Sequence, residues 1–237
     1  MSIRDKYTVR SIATEETKEW LLYKHYAKRT PSISYAFGLF NEHNILSGVC
    51  TFGMPPTPFF SKLFENGTYV ELNRLVISDG LDKNVLSFFV SRCIKALGNM
   101  IIVSYADANM KHNGYIYQAT NWIYTGLGRV DQNDLRGVNR FYFGNKEFHE
   151  RHIPETMAAF NFKIDNNLTK NENWVANGGK IIKQERKHRY FYVTGNNHFV
   201  KKNEDIIKNH FIIYPYPKGD NQRYDASYKP TIQTSLF

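Results

Sequence analysis

Four short stretches of the sequence bring together side chains that can hold phosphate, move a proton or bind a metal. In Glu71-Leu72-Asn73-Arg74-Leu75-Val76-Ile77-Ser78, strand alternation predicts Glu71, Asn73, Leu75 and Ile77 on one face and Leu72, Arg74, Val76 and Ser78 on the other. Neither face is cleanly apolar, so both are expected to be covered, and a guanidinium buried there needs a carboxylate or a ligand phosphate. The turn that follows presents the backbone N–H groups of Lys83, Asn84 and Val85 at a helix start, where partial positive charge suits a pyrophosphate. Ser87, one turn later, either adds a hydroxyl donor or bonds back to a backbone carbonyl. Ser104-Tyr105-Ala106-Asp107 ends the next strand, and ligands of open α/β sheets sit at strand C-termini. Asp107 is therefore a candidate base or metal ligand, and equally an N-cap for the segment leading to His112. Of His112, Tyr115 and Tyr117, helical spacing lets one face the site. His25-Tyr26, flanked by Lys24, Lys28 and Arg29, sets a titratable imidazole and a phenol in a phosphate-attracting patch, with a helix-end cap as the other reading.

The elements that must position these groups alternate. Residues 7–12 read as a strand, and Thr14 with Glu15 and Glu16 reads as an N-cap and acidic first turn before Trp20, Leu21 and Leu22. Residues 33–40 and 45–52 are β-rich runs joined by the hairpin signal Asn41-Glu42-His43-Asn44. The proline-rich residues 53–58 cannot sustain a ladder. A strand over 69–78, a helix over 84–97, a buried strand over 100–106, a helix over 112–121 and a strand from 122 follow. Beyond Arg140 the pattern loosens: residues 141–143 and 190–194 read as strands, residues 166–177 as an exposed loop or loose helix, and the tail past Gly219 as poorly packed.

The chain has 237 residues, 42% of them hydrophobic, enough apolar surface for a folded core. Two cysteines and no tripartite leader at Met1 point to the cytoplasm, and no apolar run approaches the ~20 residues that cross a bilayer. A net charge of +9 attracts polyanions, whether nucleic acid, anionic lipid or a phosphorylated cofactor. Basic residues over 180–189 run directly into Tyr190-Phe191-Tyr192, a pattern that suits a flipped or single-stranded base and also a plain buried strand. No Walker loop, His-Glu-x-x-His, Cys-x-x-Cys or Asn-Pro-Pro-Tyr motif is present, the last absence arguing against an amino-methyltransferase.

The element order is that of the GNAT fold, and several blocks carry a closer likeness. His25-Tyr26-Ala27-Lys28-Arg29, Phe37-Gly38-Leu39, Glu71-Leu72-Asn73-Arg74-Leu75-Val76, Asn84-Val85-Leu86-Ser87-Phe88-Phe89, Ser104-Tyr105-Ala106-Asp107 and Tyr117-Gln118-Ala119-Thr120-Asn121 resemble the Mom-like phage proteins, with a weaker echo at Lys187-His188-Arg189-Tyr190 and Tyr216-Pro217-Lys218. The resemblance implies a transferase with a GNAT-like mixed central sheet flanked by helices and a C-terminal β-rich extension. It divides the chain into a 1–145 acyl-CoA and active-site domain, a 146–220 extension packed on it and a 221–237 tail. It further implies conversion of adenine in phage DNA to N6-carbamoylmethyladenine, shielding it from restriction, with acetyl-CoA as donor. On this reading Arg74 and Ser87, with Asn84 beside them, hold acyl-CoA, and His25, Tyr26, Asp107 and Tyr117 form the active site. Iron is left open, Tyr26 and Asp107 being the oxygen donors on offer. DNA and acyl-CoA are the expected partners, and a homodimer is left open. The Gly-rich phosphate loop of a standard GNAT enzyme is replaced by Asp79-Gly80-Leu81-Asp82-Lys83-Asn84. An N-acetyltransferase on a non-DNA amine and a non-catalytic DNA-binding module are the alternatives.

Overall fold

The computed structural model describes residues 2–56, 58–128, 138–148 and 150–219. A helical turn, α1 (Ile3–Lys6), leads into β1 (Tyr7–Ser11), and α2 (Thr14–Glu19) runs without a break into a π-helical turn (Trp20–Lys24). The hairpin β2 (Tyr35–Asn41) and β3 (Leu46–Gly53) precedes β4 (Tyr69–Ile77), α3 (Val85–Ala96), β5 (Met100–Ala106), α4 (Tyr115–Ala119) and β6 (Ile123–Leu127). Then come β7 (Val138–Phe143), β8 (Lys146–Phe148), α5 (Ile153–Ala159), α6 (Lys170–Ala176) and β9 (Lys180–Gln184), and finally β10 (His188–Thr194) and α7 (Asn197–His210). Among the described residues, no helix is long and apolar enough to cross a membrane.

Seven strands form one mixed sheet in the order β1-β2-β3-β4-β5-β10-β6, in which β4 and β5 are the parallel pair, so the expected mixed central sheet flanked by helices is present. Strand alternation explains its two covered faces. Leu39, Cys50, Phe52, Leu72, Ile102 and Tyr190 pack with Phe89, Val90 and Cys93 of α3. Ile101, Val103, Phe191 and Val193 pack with Phe60, Phe64 and Ile207 of α7, and Val49 and Val76 with Trp20 and Leu21. The parallel pair is short: only Tyr69, Val70 and Glu71 pair with Ile101, Ile102 and Val103. Beyond that row the two strands diverge into a fork.

The chain forms two compact units, Met1–Val130 with Lys187–Phe237 and the insert Asp131–Arg186. The cause is β10, which returns to the middle of the main sheet between β5 and β6 and takes the C-terminal helix with it. The insert has its own three-stranded sheet, β8-β7-β9, and a core of Phe141, Ile153, Met157 and Trp174. Residues 166–177 are more regular than expected: Thr169 caps α6, accepting from the Glu172 N–H while the Glu172 carboxylate accepts from the Thr169 N–H. The 221–237 tail lies outside the described residues.

Candidate active site

The geometry of the site starts with one extra residue in β4. Phe52 pairs with Leu72 and Thr51 with Arg74, so Asn73 is the inserted residue of a β-bulge. It is pinned by Thr51 Oγ1, which donates to its Oδ1 at 2.6 Å, and by its own Nδ2, which donates to the Ser32 carbonyl at 2.9 Å. The bulge reverses the expected alternation. Leu72 and Leu75 both turn to the α3 side, while Glu71 and Arg74 come within each other's field.

The π turn places the second group of side chains, a use for which such turns are known. The His25 N–H reaches back to the Trp20 carbonyl at 2.9 Å, and the almost fully buried Lys24 ammonium pairs with Asp79 at 2.6 Å, tying this turn to the loop after β4. His25 Nδ1 accepts from the Ala27 N–H at 3.1 Å, which leaves the ring proton on Nε2. Burial, then the charges of Arg74, His112, Lys187 and Arg29, lower its pKa to about 3, so the imidazole is neutral. Its ring stacks on Tyr26 with centroids 4.5 Å apart, and Tyr26 meets His112 edge-on at 5.5 Å.

Glu71 is the last residue of β4 paired with β5 and so stands at the apex of the fork. Burial raises its carboxyl pKa to about 7, against the opposing pull of Arg74, Lys187 and Arg29. Burial followed by the Arg29 charge lowers the pKa of Arg74, whose Nε is buried without a partner while one terminal nitrogen donates to the Asn73 carbonyl. Asp107 takes the capping position and is paired with a lysine as well. It caps the turn after β5, accepting from the Asn109 N–H, and it pairs with Lys187 at 3.0 Å. Burial alone would raise its pKa, but Lys187 and Asn109 outweigh that and lower it. Tyr117 approaches from the other face of the sheet. Its hydroxyl lies 2.7 Å from Ser104 Oγ, which also bonds the Leu72 carbonyl at 2.8 Å, and burial raises its pKa well above the usual phenol range.

The structure thus brings His25, Tyr26, Arg74 and Asp107 together and sets Tyr117 within the field of Tyr26 and Glu71. Asn84 and Ser87 stand apart at the start of α3, where Asn84 is left-handed (φ 68°) and Ser87 Oγ donates to its carbonyl at 2.9 Å, the back-bonded reading. Sequence reasoning passed over Glu71, Ser104 and Lys187. The signal for Glu71 was an acid three residues before an arginine on one strand, and simple alternation hid it. The described residues give no support to an iron site. Among the described residues no group of three or more His, Cys, Asp or Glu could hold a metal ion. Of the two oxygen donors on offer, Asp107 is engaged by Lys187 and Asn109, and burial and Asp107 raise the pKa of Tyr26, keeping it protonated.

Residues 6–218 match the model of a family described as the Mom protein family. Over 113 residues the chain is 28% identical to the methylcarbamoylase mom of Escherichia phage Mu, a stretch covering 44% of this chain and 46% of that protein. The match therefore spans about half the length of that relative. Among solved structures, the chain is similar to a spermidine/spermine N-acetyltransferase from Vibrio cholerae (TM-score 0.43, 8% identity, 81% of this chain and 95% of that one). It is also similar to a GNAT family N-acetyltransferase from Escherichia coli in complex with CoA (TM-score 0.36, 11% identity, 49% of this chain and 68% of that one).

Proposed function

The chain belongs to the Mom protein family, and on that premise we propose that it is a transferase that converts adenine in DNA to N6-carbamoylmethyladenine, with acetyl-CoA as donor, and so shields DNA from restriction. The observation that carries the chemistry is Glu71 at the fork apex, a carboxyl with its pKa raised to about 7 beside Arg74. The adenine amino group is a weak nucleophile because its lone pair is drawn into the ring, and it must shed a proton as a new bond forms. A carboxylate poised near neutral pH suits that transfer. His25, neutral and with Nδ1 engaged, is a donor through Nε2 and not the base.

The base must leave the duplex stack to be reached. The Tyr26 ring, between His25 and His112, offers an aromatic surface for it, and Arg29 and Lys187 bring positive charge for the neighbouring phosphates. Acyl-CoA would enter at the fork. Past Glu71 and Val103 the facing edges of β4 and β5 no longer pair, and the unpartnered Arg74 Nε marks a polar group awaiting an acceptor. Arg74 and the N–H groups at the start of α3 around Asn84 would hold the donor, joined by Ser87 if it gave up its bond to the Asn84 carbonyl. The donor would supply the two-carbon unit, and the carbamoylmethyl product would further take an ammonia-level nitrogen that displaces CoA to form the amide and a two-electron acceptor that oxidises the methyl carbon bonding N6. Tyr117, protonated and bonded to Ser104, can return a proton on that side of the sheet.

The test is mass spectrometry of nucleosides from plasmid DNA recovered after expression of the chain, with Asp107→Ala and Glu71→Gln beside it. A deoxyadenosine heavier by one carbamoylmethyl group is expected with the native chain and is lost with Glu71→Gln. An acetyl increment would change the reaction assigned, and unmodified adenine with soluble protein would overturn the reading.

A further inference from the structure

The site rests on two short pieces of chain that cannot hold themselves in place. The turn after β5 carries Asp107 and His112, and α4, which carries Tyr117, has five residues, far below the length at which a helix is stable alone. Both converge on the Asn113 carbonyl. It accepts from the Tyr190 hydroxyl at 2.5 Å and from Gln118 Nε2 at 2.8 Å. Gly114, with φ +73°, leaves no room for anything larger, since a Cβ there would lie 2.5 Å from the Tyr190 ring.

The same Gln118 amide reaches the Pro217 carbonyl at 3.2 Å and the Tyr190 hydroxyl at 3.4 Å. Pro217 belongs to residues 211–219, a strap without helix or strand in which Phe211 is buried in the core, Ile212 and Ile213 are exposed, and Tyr214 and Tyr216 make further contacts. The Tyr214 N–H donates to the Tyr124 carbonyl on β6 at 3.1 Å, the Tyr216 hydroxyl donates to the Trp122 carbonyl at 2.7 Å, and the Tyr216 ring lies 6.4 Å from that of Tyr190. The family match runs to residue 218 and so includes this strap. Past Phe211 the segment is half-buried or exposed, yet three hydrogen bonds and one ring contact tie it to the residues around α4 and the start of β6.

The geometry points to the strap as a positioning device for the active site: Gln118 and Tyr190 are positioning residues, and through them residues 211–219 set the orientation of the turn bearing Asp107 and His112 and of Tyr117. Its catalytic consequence rests on the function proposed above; its structural consequence does not. Two measurements on the full chain separate the two. Hydrogen exchange without any substrate, comparing the native chain with Gln118→Leu and Tyr190→Phe, should show amides of residues 108–119 exchanging roughly fivefold to tenfold faster, the effect of one or two lost neutral hydrogen bonds, with β2, β3 and β4 unchanged. Modification kinetics should show kcat falling by a similar factor with KM for DNA within about twofold, since the substrate-binding surface is kept and the reacting groups are misaligned. Tyr216→Phe, which cuts one strap bond without touching Gln118, should give the same pattern in weaker form. Unchanged exchange over 108–119, uniformly faster exchange across the sheet, or faster exchange with an unchanged kcat overturns the proposal. A native chain that modifies no DNA overturns the proposed function, and exchange then still decides the strap.

Discussion

The insert, residues 131–186, holds nine Lys and Arg against eight Asp and Glu, whereas the rest of the chain carries the other +8 of the net +9. Where the charges lie differs as much as their sum. The insert's ion pairs, Arg140 with Glu147 and Lys170 with Glu150, sit in solvent around an aromatic core in which Phe141 and Trp174 are fully buried. The larger unit puts Glu71, His25 and Arg74 where burial is the leading cause of each pKa shift. Such groups cost stability. Their grouping at the end of a fork, with Asp107 and Lys187, separates a unit arranged for chemistry from one arranged for folding.

The sharpest test of that contrast is Glu71→Gln. Removing a base should lower the modification rate by about 10²–10⁴-fold, and in the native chain the rate should climb as pH passes through about 7. Stability should move the other way. Because the folded pKa lies above the ordinary 4.5, Glu71 favours folding below about pH 4.5 and loses that contribution as pH rises to about 7. Glu71→Gln should therefore match the native unfolding free energy at pH 4 and exceed it at pH 8, by about 1–2 kcal/mol once residual solvent access is discounted. A variant no more stable at pH 8 would mean that the carboxyl is not held at a cost.

How much of this was legible in the sequence follows the same division. The hairpin, the helix over α3, the buried run of β5 and the strand at β10 were readable because periodicity and turn residues agree there. Arg74, His25, Tyr26 and Asp107 were found by residue type and by the likeness of their blocks to a family. Glu71 was not, because a bulge carries no local signature: one added residue at Asn73 moves every later side chain of β4 to the opposite face. The bounds of the insert were not legible for a related reason. Tyr190-Phe191-Tyr192 reads as a strand, but nothing in its residues says that its partners are β5 and β6, far back in the chain. Lys187, on the far side of the insert, could be paired with Asp107 only once that topology was known.

Trp174→Ala asks whether the insert is a unit in energetic terms. Its ring contacts Phe141, Phe143, Phe148 and Phe162, so truncation should cost about 3–5 kcal/mol. Hydrogen exchange should show protection lost across β7, β8 and β9 and kept in β4 and β5. Equal loss in both would dissolve the distinction between the units.

The smallest effects set two ion pairs of similar length against each other. Lys24 meets Asp79 at 2.6 Å with the lysine side chain 2% exposed, and Arg140 meets Glu147 at 2.9 Å with both partners in solvent. Distance alone would rank them together; burial does not. Asp79→Asn takes the charge partner from an ammonium that water cannot reach, and since Asp79 is itself half-exposed the loss should be about 1–3 kcal/mol. It should also loosen the π turn that carries His25 and Tyr26, so modification falls with stability. Glu147→Gln leaves Arg140 hydrated and still bonded to Gln184, and should cost no more than about 0.5 kcal/mol. Raising salt from low to about 0.5 M should shrink the second difference and leave most of the first, because screening acts on charges in water. Should the two substitutions cost the same, or respond to salt alike, the buried charges of the larger unit would have no energetic character of their own, and the case for a built site around the fork would weaken with them.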